Sequence, residues 1–195
     1  MNLNLEAERL LLSPFRPENA EIWVALRTDP EVMKFIRPPR TPEQALAEAQ
    51  NLHVRGAGGA LGFWCISERA SGDTIGTGIL LPLPLEARDP DWFQLTLEDL
   101  KRHEIEVGYH LIPSAWGKGY ATEAAKALIT FAFDETPLDR ILAVTNPENE
   151  ASQHVLRKAG LIDTGPRRAY GEDVSGFEIT RREQIEDCPA DEDRT

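Results

Sequence analysis

The chain has 195 residues, 41% hydrophobic and 28% charged, with a formal net charge of −12 from 33 acidic and 21 basic side chains. That length and mix suit one soluble domain with a full core. The negative surface argues against nucleic-acid binding, no apolar run approaches the ~18 residues of a membrane span, and Cys65 and Cys188 alone make neither a disulfide framework nor a cysteine zinc site.

The opening residues carry no basic segment and no cleavage pattern, so a cytoplasmic chain without a signal peptide is expected. Glu8 to Pro14 reads as a short strand around Leu10, Leu11 and Leu12. Pro17-Glu18-Asn19 opens a helix with Ile22, Trp23, Leu26 and Arg27 on one side, and Asp29-Pro30 ends it before a short second helix. Thr41-Pro42-Glu43-Gln44 has an N-cap residue followed by proline at the first helical position, and predicts a helix presenting Ala45, Leu46, Ala49 and Leu52. Leu61–Glu68 and Thr74–Leu81 read as a hairpin across the turn signal Ser71-Gly72-Asp73. Residues 82–103 read as an insertion that walls an acceptor pocket, contacts a second subunit or is a solvated loop; Trp92 and Phe93 favour packing.

The next segment is the most informative. Ile105 to Ile112 is dense in β-branched and aromatic residues, a strand signal, and Pro113 removes a backbone donor and ends it. Trp116-Gly117-Lys118-Gly119-Tyr120-Ala121 then enters a helix of about Ala121 to Glu135 with a wide apolar stripe. Amide N–H groups at a helix start lack intrahelical partners and the helix dipole adds positive charge, so the loop suits a phosphate or pyrophosphate. It is neither a Walker loop nor a dinucleotide-binding G-x-G-x-x-G. Leu138–Val144 is the next strand, Asn146-Pro147 ends it, and a last helix from Glu150 or Ala151 stops at Gly160. Strands near Leu161–Gly165 and Val174–Thr180 close the fold, before the acidic tail 183–195. His53, His103, His110 and His154 lack metal-ligand spacing, so no metal is expected.

The stretches "IEVGYHLIPSAWGKGYATEAAKALITFAF" and "LDRILAVTNPENEASQHVLRKAGL", with the opening "ERLLLSPFRPENAEIWVALRTDPEVMKF", resemble the GNAT N-acetyltransferases, specifically the ribosomal-protein (RimJ/RimL-type) branch. Ser114 stands where many relatives have Gln or Arg, a residue this branch often lacks. The resemblance implies an α/β (α+β) fold in one domain over residues 1–182: a mixed, mostly antiparallel sheet of six to seven strands, splayed between the fourth and fifth, with about four helices. It implies acetyl-CoA as co-substrate, its pantetheine arm on the backbone of His110, Leu111 and Ile112. Its pyrophosphate is expected on the Trp116, Gly117, Lys118, Gly119, Tyr120, Ala121 and Thr122 segment, with Asn149 and Ser152 facing the thioester. Glu106 is the expected base acting through water, with His110 its rival. Ser152 is the candidate acid, because Leu156 occupies the place of the tyrosine many relatives use.

The expected reaction is direct acetyl transfer to a primary amine, by a monomer or homodimer that binds neither nucleic acid nor membrane. An inactive acetyl-CoA-binding module and a transferase of longer acyl groups stay open. Asp29, Glu31, Glu86, Asp89 and Asp91 suggest carboxylates lining the acceptor cleft, and hence a cationic amine.

Overall fold

The computed structural model describes residues 1–86 and 91–186. Its strands are β1 (Leu5–Glu6), β2 (Leu10–Pro14), β3 (Gly62–Glu68), β4 (Thr74–Pro82), β5 (Ile105–Leu111), β6 (Arg140–Thr145), β7 (Ile162–Ala169) and β8 (Glu172–Thr180). Its helices are α1 (Ala20–Thr28), α2 (Pro30–Met33), α3 (Pro42–Ala49), α4 (Tyr120–Glu135), α5 (Glu150–Lys158) and α6 (Arg181–Glu186). One sheet holds the eight strands in the order β1-β2-β3-β4-β5-β6-β8-β7. Every pairing is antiparallel except β5–β6, which is parallel.

Local chemistry explains most boundaries. The Thr41 hydroxyl accepts from the Gln44 N–H while the Gln44 side chain accepts from the Thr41 N–H, a reciprocal capping box that starts α3. Asp29 caps α2 by accepting from the N–H groups of Glu31 and Val32. Gly119 begins α4 at φ 82°, a left-handed conformation glycine adopts without steric cost.

Two layers cover the sheet. On one face, α4 and α5 pack Leu128, Ile129, Ala132 and Leu156 against Ile105, Val107 and Leu111 of β5. On the other, Ile22, Trp23 and Leu26 of α1 and Ala45 and Ala49 of α3 meet Cys65 of β3. A smaller apolar group on that second face joins Leu83, Leu142, Ala169 and Val174. The period-2 alternation of β5 decides which side chain joins which layer.

The structure departs from the sequence expectations in count and in ends. The described residues form eight strands rather than six or seven, because Leu5–Glu6 pairs with the strand expected at Glu8–Pro14. Six α-helices against about four occur among the described residues, and α6 is one the chain-order reading did not contain. The chain does not finish its helices at Gly160. Thr180 supplies an N–H and a hydroxyl to the Glu183 carboxylate, and α6 runs through Glu186, past position 183 where the tail was expected to begin. Residues 187–195, and with them Cys188, lie outside the described residues. Parts of the 82–103 segment pack on the body, while Leu85 and Phe93 are exposed. Leu83 and Leu100 are buried, and the Trp92 ring lies 6.5 Å from that of Phe63.

Candidate active site

The parallel pair β5–β6 is joined at one register position, Glu106 opposite Leu142. Beyond it the strands diverge and leave a wedge. In the antiparallel β4–β5 ladder the Ile112 N–H donates to the Ile75 carbonyl, 3.0 Å away. Successive residues of a strand point their peptide groups to opposite neighbours, so His110 and Ile112 address β4. The peptide groups that face the wedge belong to Tyr109 and Leu111. Of the expected trio His110, Leu111 and Ile112, Leu111 turns its peptide groups to the wedge and the other two turn theirs to β4. The Leu111 carbonyl is already taken by the indole N–H of Trp116, at 2.8 Å.

The glycine loop closes the mouth of that wedge. Gly117 (φ 72°) and Gly119 (φ 82°) both take the left-handed conformation. A Cβ on Gly117 would meet nothing within 4 Å, so the space beside it is open to a ligand. A residue unmarked in the sequence holds this loop. The Arg9 guanidinium donates to the Lys118 carbonyl (2.9 Å) and pairs with Glu123 in the first turn of α4 (2.7 Å). Glu123 also accepts from the backbone N–H groups of Arg9 and Leu10. The β1–β2 hairpin thus fastens the start of α4. Lys118 keeps its ammonium on the exposed side, 5.8 Å from the centre of the Tyr120 ring.

The candidate side chains fall on opposite faces of β5. Glu106 is buried, 4% exposed, at the apex of the wedge, and accepts a hydrogen bond from the Tyr170 hydroxyl. Tyr170 and Gly171 form the two-residue turn between β7 and β8, with φ 54° and 76°. A left-handed tyrosine costs roughly 1–2 kcal/mol. Its hydrogen bond and the anchoring of the turn N–H groups on the Pro84 and Leu85 carbonyls offset that cost. His110 shares the Glu106 face but lies four residues on, about 13 Å away at a strand's rise. The structure therefore does not bring these two together. His110 stands in register with Thr77, whose buried hydroxyl has no partner among the described residues. Burial first, then the charges of Arg27 and Arg37, push the His110 imidazole down to about 4.

Across the wedge, Asn149 caps α5 by accepting from the Ser152 N–H at 3.1 Å. Ser152 meets the Tyr109 hydroxyl, 3.2 Å from its Oγ and 3.3 Å from its carbonyl oxygen. Burial pushes the Tyr109 phenol up to about 12. The structure thus brings Ser152, Asn149 and Tyr109 together on one face of the sheet and Glu106 and Tyr170 on the other. Tyr109 was detectable by alternation, being the aromatic residue between Gly108 and His110. Tyr170 and Arg9 lie 64 and 114 positions from their partners, and nothing local announces such contacts.

Two of the carboxylates expected around the acceptor cleft, Asp29 and Glu86, have other partners, while Glu31 and Asp91 are exposed. Asp29 caps α2, Glu86 pairs with Arg168 at 3.6 Å, and Asp89 lies outside the described residues. No group of three or more His, Cys, Asp or Glu able to hold a metal occurs among the described residues, and no described helix is long and apolar enough to cross a membrane.

Residues 9–162 match the family model described as "Acetyltransferase (GNAT) domain". The chain is 31% identical over 192 residues to the FsC-acetyl coenzyme A-N(2)-transacetylase of Aspergillus fumigatus, covering 93% of this chain and 77% of that protein. It is 29% identical over 187 residues to the uncharacterized N-acetyltransferase p20 of Bacillus licheniformis, covering 92% of this chain and 97% of that one. In fold it is similar to AAC(6')-Ib, solved in complex with ribostamycin and coenzyme A, with a TM-score of 0.75, 15% identity and coverage of 94% and 99% of the two chains. The splayed sheet and the glycine loop are thus those of a known enzyme family, and the chain belongs to the GNAT acetyltransferases.

Proposed function

We infer that the protein transfers an acetyl group from acetyl-CoA to a primary amine by direct transfer in a ternary complex. The observation that carries this reading is the β5–β6 wedge with the glycine loop of α4 at its mouth. The open space beside Gly117 and the amides from Trp116 to Thr122 suit a pyrophosphate. The peptide groups of Tyr109 and Leu111 are oriented to pair with an extended amide-bearing arm. Direct transfer is favoured over a covalent enzyme intermediate by Cys65, which lies buried in the α1–α3 layer with its thiol pushed up to about 12.

In this reading Glu106 receives the proton of the incoming ammonium through water, and Tyr170 holds its carboxylate in place. From the opposite face of the sheet the Tyr109 hydroxyl and Ser152 donate to the departing thiolate, a role the family's usual tyrosine cannot fill where Leu156 stands. His110, a weak base at about 4, serves as a spacer rather than a proton acceptor. Asn149 fixes the first turn of α5 so that Ser152 faces the wedge. Much of the acceleration then comes from holding donor and amine together. The resemblance of residues 105–161 to the ribosomal-protein branch supports a protein N-terminus as one form of the amine.

Acetyl-CoA-dependent release of free thiol, followed over a panel of primary amines, tests the reading. Turnover with one or more amines is expected. Tight cofactor binding without thiol release on any amine would instead make the chain a binding module.

A further inference from the structure

The sheet face that carries Glu106 is covered by two separate apolar groups. One lies under α1 and α3 around Cys65 of β3, and the other joins Leu83, Leu142, Ala169 and Val174. Between them runs a strip of the central strand β4. Thr77 stands opposite Cys65, so strand alternation puts Ile79 and Leu81 on the same face. Both are only half-buried, and neither belongs to either group. An open face of an antiparallel sheet is ordinarily polar. Uncovered isoleucine and leucine beside a buried carboxylate instead have the make-up of a ligand surface, apolar with a few polar groups that fix orientation.

The strand registers place the surroundings of this strip. Leu81 stands opposite Glu106, and Ile79 stands between Gly108 of β5 and Phe63 of β3. A Cβ on Gly108 would lie 2.9 Å from the Ile79 Cγ1, so Ile79 leans over a position that raises no side chain of its own. The half-buried Phe63 ring bounds the far side. It meets Trp23 edge-on at 5.6 Å and is flanked at 6.5 Å by Trp92 of the 82–103 segment. From β5 to β3 and over two residue rows the strip measures roughly 10 Å by roughly 7 Å. That is room for one aromatic ring or a short alkyl chain.

We propose that the acceptor is a primary amine carried on an apolar group of that size, which lies on Ile79 and Leu81 against Phe63 while its amine reaches Glu106. The proposal rests on the amine-acetylation reading above and names the class of amine. It replaces the expectation of a cleft lined by carboxylates: one ammonium meets one carboxylate, and the rest of the contact removes apolar surface from water.

The test uses matched amines: phenethylamine against ethanolamine, and pentylamine against cadaverine, which has the same carbon chain with a second ammonium. Equilibrium binding to the full chain with coenzyme A present, by saturation-transfer NMR titration, reads the proposal; thiol release with acetyl-CoA reads the transfer reaction. The apolar member of each pair should bind at least tenfold more tightly, since each buried CH2 is worth about fourfold in affinity. Ile79→Thr keeps a β-branched residue in the strand and should cut this preference severalfold, and Ile79→Val should retain most of it. If Ile79→Thr fails to fold, the ratios in the unsubstituted protein decide by themselves. A preference for the apolar amines without turnover would leave the proposal standing and remove the transfer reading. Turnover with ethanolamine or cadaverine as the best acceptor would leave the transfer reading standing and overturn the proposal. Pair members that bind alike, or a preference that folded Ile79→Thr leaves intact, would overturn it too.

Discussion

Glu106 is buried at the one register position where β5 and β6 still pair, and its contact with Tyr170 is the most specific pairing in the cleft. If it takes the ammonium proton, Glu106→Gln should lower kcat about 100-fold, the scale of a lost general base. Tyr170→Phe removes a hydrogen bond to the ionised carboxylate and should move the acidic limb of the kcat/KM profile to higher pH. Steady-state kinetics between pH 5 and 9 at saturating acetyl-CoA would check both. An unmoved limb in Tyr170→Phe would make that contact structural only. His110 yields a stability prediction of definite sign. Its pKa falls from the ordinary 6.5 to about 4 on folding, so between those values the unfolded chain binds more protons. Stability contributed by the neutral imidazole is therefore present above about 6.5 and lost as pH falls toward about 4. Denaturant titrations of the protein and of His110→Gln should show a shallower pH dependence for the variant across that window.

At the scale of elements, the β1–β2 hairpin and the start of α4 act as one unit, because Arg9 bonds both the loop carbonyl of Lys118 and the helix residue Glu123. Gly119→Asp imposes a side chain on a left-handed residue, at roughly 1–2 kcal/mol, and adds negative charge where a pyrophosphate is expected. It should abolish acetyl-CoA binding by calorimetry while the far-ultraviolet dichroism stays close to that of the parent. Arg9→Ala should weaken cofactor affinity severalfold through a loosened loop and leave the pH profile of kcat unchanged. Equal affinity in both variants would remove the loop from the cofactor site.

For the whole molecule, the wedge exists because one sheet carries seven pairings of which a single one barely holds. A ligand that fills the gap and pairs with β5 joins the two halves of the sheet. Acetyl-CoA at 100 times its dissociation constant should therefore stabilise the fold by about 2.7 kcal/mol, seen as a rise in Tm that scales with the logarithm of ligand concentration. A Tm that ignores acetyl-CoA would contradict the assignment of the wedge.

The amino-acid sequence by itself determined what depends on neighbours along the chain. The capping box at Thr41–Gln44, the strand that ends at Pro113, the two glycines before α4 and the stop at Gly160 are local steric and hydrogen-bonding events, so each was legible, and so was the family resemblance those motifs carry. Alternation along β5 also put Glu106 and His110 on one face. Which peptide groups of β5 reach the wedge was not legible, since that parity depends on the Ile112–Ile75 hydrogen bond to another strand. Nor were Arg9 on the glycine loop, Tyr170 on Glu106 or Tyr109 on Ser152. Contacts between residues dozens of positions apart follow from how elements pack, and no window of sequence contains both partners. Individual charges show this plainly. Of a chain with net charge −12, Asp29 goes to a helix cap and Glu86 to an ion pair with Arg168. Composition fixes total charge, and only the tertiary structure decides where each charge stands.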